Sequence, residues 1–234
     1  MASKRSPLLR MLVHTLVVLR CRPTAIFRGF RNDESWDGPY ITQIGQILGW
    51  LNDPTCLQSW QNLLVHRSLL FSMKTQTWQL PSQLTIIGVG EIRGMCPGFS
   101  NVRRLRLPDY MLPFSEAQLM WTRFPSLTHL AMVVYMDSPI TRQIVDVLLQ
   151  SWTLERLAVV ITLPSATGRT VRPMGNAIHR ELLEVDDERL VVLEEETSLL
   201  EMLRQPDGVP FWRRVDEVAD HVKKKGKTRP PYVL

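Results

Sequence analysis

The sequence predicts an α/β fold in which short strands form a largely parallel sheet with helices along its outer side. Three copies of one phrase, with apolar residues at its first, fourth and sixth positions, occur at residues 102–107, 127–132 and 154–159. Their central leucines are 25 and 27 residues apart, and helical spacing of apolar residues separates successive phrases. A strand, a turn and a helix repeated every ~20–29 residues is typical of leucine-rich repeats. We therefore expect a short leucine-rich-repeat-like solenoid whose stacked units bury a continuous core.

Composition is that of a soluble globular protein that can bury a core without metals or disulfides. The chain has 234 residues, of which 44% are hydrophobic and 22% charged. Cys21, Cys56 and Cys96 are too far apart for a C-x-x-C site, which favours a reducing compartment, the cytoplasm or nucleus. The net charge of +5 permits contact with nucleic acid without arguing for it. No segment approaches the ~20 apolar residues of a membrane span, so no membrane partner is expected.

The N-terminal third predicts a strand, two helices and a second strand. Residues 12–20 are rich in Val and Leu, as strands are. The basic residues around them also fit a mitochondrial import segment, a minor alternative. Helical spacing follows at residues 40–51, and a second helix starts at Pro54. Residues 84–89 are the next predicted strand. The buried stripe of the second helix would consist of Leu57, Trp60, Leu63 and Leu64.

Two cap signals place helices between the phrases. Ser115-x-x-Gln118 has the form of a capping box, because the hydroxyl and the amide can satisfy free backbone amides reciprocally. Ser138-Pro139 marks the start of the following helix. The apolar side of that helix would be Ile140, Ile144, Val147 and Leu148.

The C-terminal third predicts a loop, a strand and a final helix. Residues 163–185 contain prolines and glycines, so we expect a long loop with a short helix near residues 178–183. A strand follows at residues 190–193. Residues 206–223 predict a C-terminal capping helix in which Trp212 seals the open end of the repeats. The expected organisation is a disordered start at 1–7, one repeat-like domain over 8–205, the capping helix and a basic polar tail at 224–234.

Three motifs give the chain a family resemblance. The first is Phe124-Pro-Ser-Leu-Thr-His-Leu130, within the repeats. The second, Asp187-Glu-Arg-Leu-Val-Val-Leu193, has the form D-x-R-x-V-V-L, and the third, Phe211-Trp-Arg-Arg-Val-Asp216, is close to F-W-x-R-A-D. In this order and spacing, over about residues 84–225, the chain resembles the uncharacterised F-box-associated, leucine-rich-repeat-like proteins of mushroom-forming fungi.

The resemblance implies a non-catalytic solenoid that recognises another protein and needs no cofactor. In family members with an F-box, an N-terminal helical module binds a ubiquitin-ligase adaptor and the repeats select the substrate. This chain shows no leucine-proline-acid opening or matching helices before its first strand, so we assign it no adaptor. The expected function is that of a protein–protein interaction scaffold, in its specific form a degenerate F-box-type substrate receptor lacking its F-box, with an unidentified protein partner.

Two alternatives come from other classes of function. Gly88-Val-Gly-Glu-Ile-Arg-Gly94 follows a strand and imitates a dinucleotide fingerprint, which would make the chain a nucleotide-binding or enzymatic domain. That reading requires a helix starting near Gly90, and Pro97-Gly98 argues against one. The lysines at 223–227 make a basic nucleic-acid-binding module the second alternative. No histidine or acid pair has the spacing of a known site, so we assign no catalytic, metal-binding or cofactor-binding residue.

A partner-binding surface would lie on the sheet, because residues between the apolar positions of the phrases point to the opposite face. Across neighbouring repeats they form a patch with a basic end and a mixed middle, which suits an acidic protein segment. The alternative is a face that is merely solvated. On either view His129 is expected at the surface, and most tryptophans are expected in the core. The candidate residues are Arg103, Arg104, Arg106, Thr128, His129, Glu155 and Arg156.

Overall fold

The computed structural model describes residues 15–18, 62–66, 80–88, 97–108, 112–134, 141–161, 172–194 and 209–225. The strands among them are β1 (Thr15–Val18), β2 (Asn62–His66), β3 (Gln83–Ile87), β4 (Arg104–Leu107), β5 (His129–Val134), β6 (Arg156–Ile161) and β7 (Leu190–Glu194). The helices are α1 (Phe114–Arg123), α2 (Thr141–Leu149), α3 (Arg172–Leu183) and α4 (Val209–Lys225), with a 3₁₀ turn at Pro97–Asn101.

All seven described strands lie in one parallel sheet, and their order in the sheet follows their order in the chain. The predicted α/β class with a parallel sheet is therefore confirmed. The register aligns the central leucines of the phrases, since Leu130 pairs with Leu105 on one side and with Leu157 on the other. Leu84 and Leu190 extend this row in both directions. Parallel strands require crossover connections, and α1, α2 and α3 lie in the connections that follow β4, β5 and β6.

The apolar positions of the phrases build the main core on one side of the sheet, which we call the first face. Val102, Leu127 and Leu154, the opening residues of the phrases, are at most 2% exposed. They belong to one continuous cluster with the leucine row and with apolar residues of the three crossover helices. Phe99 and Phe124, which precede the first two phrases, stack with their ring centroids 4.4 Å apart. The repeat phrases therefore specify the first face as predicted.

Helix α2 has the predicted division into an apolar and a polar side. Ile144 and Leu148 are buried against the first face. Arg142 and Asp146 form an ion pair of 3.1 Å on the solvent side, with the i,i+4 spacing that brings two side chains together on a helix.

Helix α1 begins differently from the prediction. Its N-cap is Pro113, whose extended backbone leads into the helix, and no side chain caps it. Ser115 lies inside the first turn, so the predicted capping box was wrong. The helix instead relies on burial of Ala117 and Met120 against the first face, since packing contributes more helix stability than a cap does.

Leu63 and Leu64 lie in strand β2, so the second predicted helix is wrong at its C-terminal end. Leu63 pairs in register with Leu84 and belongs to the first-face core, while Leu64 lies on the opposite face and is also buried. A short apolar run fits either a helix or a buried strand. This segment is a strand because it pairs with β1 on one side and with β3 on the other.

Helix α3 occupies much of the predicted loop over residues 163–185. It begins at Arg172, six residues before the short helix expected near residues 178–183. Pro173 does not prevent this, because the first-turn amides of a helix have no intrahelical acceptor in any case.

The strands predicted at residues 12–20, 84–89 and 190–193 are present as β1, β3 and β7. Other predictions lie outside the described residues. They are the polar start at 1–7, the helix at 40–51, the first part of the helix that starts at Pro54, the Ser138-Pro139 signal and the tail beyond residue 225.

Candidate partner-binding face

The side of the sheet opposite the first face, here called the second face, is built from the alternate residues of β4 to β7. Strand register arranges these residues in rows across the sheet. One row is polar, since Arg104 pairs with His129 and His129 with Arg156. The next rows combine Arg106 with small and branched apolar residues. These apolar residues are Ala131, Val133, Ala158, Val160, Val191 and Leu193.

Helix α4 covers the second face. Its residues Phe211, Trp212, Val215, Val218 and Ala219 are at most 7% exposed and form one cluster with the apolar residues of β5, β6 and β7. The floor of the face contains two alanines at matching positions of β5 and β6. Small side chains there leave room for the large rings of the helix, and the alanines and the rings belong to the same buried cluster.

The indole ring of Trp212 contacts two residues of the polar row. The imidazole of His129 meets the indole edge-on, with ring centroids 5.7 Å apart. The guanidinium carbon of Arg104 lies 5.9 Å from the same indole centroid, within the range of a cation–π contact. On its other side, His129 Nδ1 lies 2.8 Å from the hydroxyl of Thr128, with donor and acceptor depending on the imidazole tautomer.

Phe211 and Asp216 of α4 contact two further arginines of the face. The guanidinium carbon of Arg106 lies 3.9 Å from the ring centroid of Phe211, and Arg106 is only 8% exposed. The carboxylate of Asp216 lies 4.0 Å from Nε of Arg156. Each of the arginines on the described part of β4 and β6 is therefore met by an aromatic ring or a carboxylate of α4.

The predicted exposure of the candidate residues was wrong for His129 and Arg106, which are 9% and 8% exposed. The structure does bring the candidate residues together on one face, but α4 covers its centre. Arg104, Thr128 and Arg156 are half-buried, while Arg103 and Glu155 stay exposed at the rim. Sequence reasoning missed this because α4 begins about 15 to 105 residues along the chain from the strands it covers. The predicted capping of the repeat end by α4 is not confirmed, since its contacts reach across the face to Arg104 on β4.

The pKa of His129 is lowered from its ordinary value. Burial is the main cause, because an imidazolium loses hydration between the sheet and α4. The positive charge of Arg104 lowers the pKa further, whereas Asp216 and Glu155 act in the opposite direction. The neutral imidazole is therefore the favoured form while α4 covers the face.

Arg189 is a structural residue whose role was not predicted. Its guanidinium donates hydrogen bonds to the carbonyl oxygens of Leu149 (2.6 Å), the last residue of α2, and of Ser151 (2.7 Å), two residues further on. Asp187 accepts from the same guanidinium at 2.7 Å, and this bond raises the pKa of Arg189 above its ordinary value. The D-x-R spacing of the family-like motif could have predicted this role. It places an acid, Asp187, two residues before Arg189, and the acid orients the guanidinium.

The described residues bear only partly on the alternative functions. Gly88 has a φ of 101°, a turn conformation that favours glycine, but residues 89–96 lie outside the described part of the chain. Lys223 pairs with Glu188 at 3.6 Å, and Lys227 also lies outside the described part. In the described ranges no three His, Cys, Asp or Glu side chains are grouped as a metal site would require. None of the four described helices has the length and apolar character needed to cross a bilayer.

Comparison of the chain with protein-family models, curated proteins and solved structures found no match. Function is therefore inferred from the site itself.

Proposed function

We propose that this chain is a non-catalytic protein-recognition scaffold, a short leucine-rich-repeat-like solenoid whose second face binds an amphipathic helix. The observation that carries the proposal is the contact of α4 with Arg104, Arg106, His129 and Arg156, four of the residues expected to bind a partner. In this proposal α4 is the intramolecular occupant of a helix-binding face.

The chemistry of the face supports this role. Its floor is apolar and contains Ala131 and Ala158, while Arg104, Arg106 and Arg156 supply positive charge around it. A helix with two adjacent aromatic residues and a carboxylate about one turn later matches both the apolar floor and the positive charge around it. Helix-in-groove recognition commonly uses apolar anchors at such spacings.

The covalent connection of α4 to the sheet determines how a partner helix can bind. Residues 195–208 connect β7 to α4, and a linker of this length gives an attached helix an effective concentration on the order of millimolar. A partner helix must therefore compete with α4 or bind while α4 is transiently released. The resemblance to F-box-associated proteins adds a narrower version, in which the displaced helix makes room for a substrate of a degenerate F-box-type receptor.

The proposal is tested by making α4 exchangeable in the full chain. A protease site placed within residues 195–208 allows the tether to be cut while α4 remains seated. After cleavage, a fluorescent peptide of residues 209–225 should bind the nicked protein at nanomolar to micromolar concentration, because the tethered helix no longer competes at high effective concentration.

The matched control is the same peptide carrying Trp212→Ala, which should bind at least about tenfold more weakly because it lacks the central aromatic anchor. Partners captured by the nicked protein should be lost when Arg104 and Arg156 are changed to Glu. The proposal is wrong if α4 never exchanges with the free peptide, or if captured proteins do not respond to the two arginine changes.

A further inference from the structure

Trp152 stands out among the exposed apolar side chains of the described residues. It is 92% exposed, against 47% for Leu119 and 37% for Phe114. Tryptophan is enriched at the energetic centres of protein interfaces, but a single exposed hydrophobic residue is in itself ordinary. Its position in the repeat and its surroundings therefore decide what it can do.

Core packing does not account for Trp152. In the first two phrases a buried phenylalanine, Phe99 or Phe124, lies three residues before the opening apolar residue. In the third phrase Ser151 holds that position, three residues before Leu154, and is 8% exposed. Trp152 comes one residue later and lies at the surface, an exception to the expectation that most tryptophans are in the core.

The backbone on both sides of Trp152 is held in place. Arg189 donates to the carbonyl oxygens of Leu149 and Ser151, directly before the tryptophan. Ser151 Oγ lies 2.9 Å from Thr153 Oγ1 and accepts a hydrogen bond from the Thr153 amide at 3.3 Å. A segment held in this way loses little conformational freedom when a partner covers it, and such loss is a main cost of association.

Acidic residues occur in the two segments that lead into β6 and β7. Glu155 is exposed three residues after Trp152, and Glu188, with its side chain 73% exposed, precedes Arg189, whose guanidinium donates to the carbonyl oxygen of Ser151. Asp186 is also exposed, and Lys223 pairs with Glu188 at 3.6 Å. The chain as a whole has a net charge of +5, so this edge departs from the general charge of the molecule.

We propose that Trp152 is the anchor of a second protein-docking surface, which takes a basic peptide segment. A lysine or arginine of that segment lies on the exposed indole in a cation–π contact. Neighbouring basic side chains of the segment pair with Glu155 and Glu188. The surface lies at the edge where the strands begin and borders the second face at Glu155. A basic segment that binds there competes with Lys223 of α4 for Glu188.

The test uses the intact chain and a fluorescent nonapeptide rich in arginine as the probe, with anisotropy as the readout. Trp152→Ala should weaken binding about tenfold, as loss of an interface anchor does, and Trp152→Phe should weaken it less. Glu155→Gln with Glu188→Gln should also weaken binding and reduce its salt dependence. Leu119→Ala removes a different exposed apolar side chain and should leave binding unchanged.

The proposal is overturned if the arginine peptide fails to bind, or if a glutamate peptide of equal length binds as well. It is also overturned if Trp152→Ala and Leu119→Ala have equal effects, because the indole would then contribute nothing specific. The thermal unfolding temperature should be unchanged in Trp152→Ala, since the side chain is exposed. A loss of binding in this variant is then due to the missing indole and not to unfolding. Because α4 stays tethered throughout, the result is independent of the exchange experiment on the second face.

Discussion

At the scale of single residues, His129 lies between the sheet and α4 with charged groups on several sides. Arg104 and Arg156 flank it along the polar row, and Asp216 faces it from α4. Its ring also meets the edge of Trp212. Protonation of His129 would place a further positive charge beside Arg104 and Arg156, and the carboxylates of Asp216 and Glu155 offset it only in part. The covered face therefore favours the neutral ring.

This environment predicts a pH dependence. The folded pKa of His129 is lowered from its ordinary value of about 6.5, so below that pH the unfolded chain binds the proton more readily than the folded one. The stabilisation associated with neutral His129 is fully present above about pH 6.5 and is lost as the pH falls through the lowered folded value. Urea unfolding at pH 7.5, 6.0 and 5.0 should show a decline in the free energy of unfolding that is shallower in His129→Gln. An equal decline in both proteins would contradict the assignment.

At the scale of elements, α4 is the part of the fold in which two kinds of contact coincide. Its aromatic and branched residues fill the second face, while its rings and its carboxylate meet the arginines around that face. The apolar contacts supply most of the docking free energy, because exposed or half-exposed ion pairs such as Arg156–Asp216 contribute little. The fit of α4 therefore depends on the shape of the floor beneath it.

Ala158→Leu should release α4 selectively. Ala158 is fully buried in the cluster under the helix, and overpacking a filled core costs about 1–3 kcal/mol. Limited proteolysis should then cut within residues 195–225 faster than in the unchanged protein, while the parallel sheet stays folded. The control is Ala117→Leu on α1, which overpacks the first face and should lower global stability without favouring cleavage near α4. Equal cleavage patterns in the two variants would argue against a separately releasable helix.

At the scale of the whole molecule, one leucine row links the described strands from β3 to β7. Leu84, Leu105, Leu130, Leu157 and Leu190 pair in register and belong to one core cluster. In repeat architectures each unit is stabilised mainly by its neighbours, so the continuity of such a row couples the units. The first face should therefore unfold as one cooperative body.

Leu130→Ala tests that coupling at the centre of the row. Leu130 is fully buried, and truncation of a buried leucine to alanine costs about 2–5 kcal/mol. Urea denaturation should show a lower midpoint with one transition, because neighbouring units lose their shared packing together. Leu119→Ala, on the exposed side of α1, should change the free energy of unfolding by no more than about 0.5 kcal/mol. Two separate transitions in Leu130→Ala would show that the units are not coupled in this way.

The local periodicities of this protein could be predicted from its residues alone. The repeated phrase predicted β4, β5 and β6 and their buried leucines, and the helical spacing near the C-terminus predicted α4 with its apolar side. These features could be read because each depends on residues a few positions apart, whose side chains share a face of a strand or a helix.

The elements that cover those faces became known from the folded chain. It made Leu63 and Leu64 part of a strand, through pairing with neighbours on both sides. It brought α4 over His129 and Arg106, and it left Trp152 exposed where Ser151 takes the buried position. Each of these outcomes depends on contacts between residues far apart in the chain. The periodicity of a segment shows that it has an apolar face to bury, but it does not show which distant element covers that face.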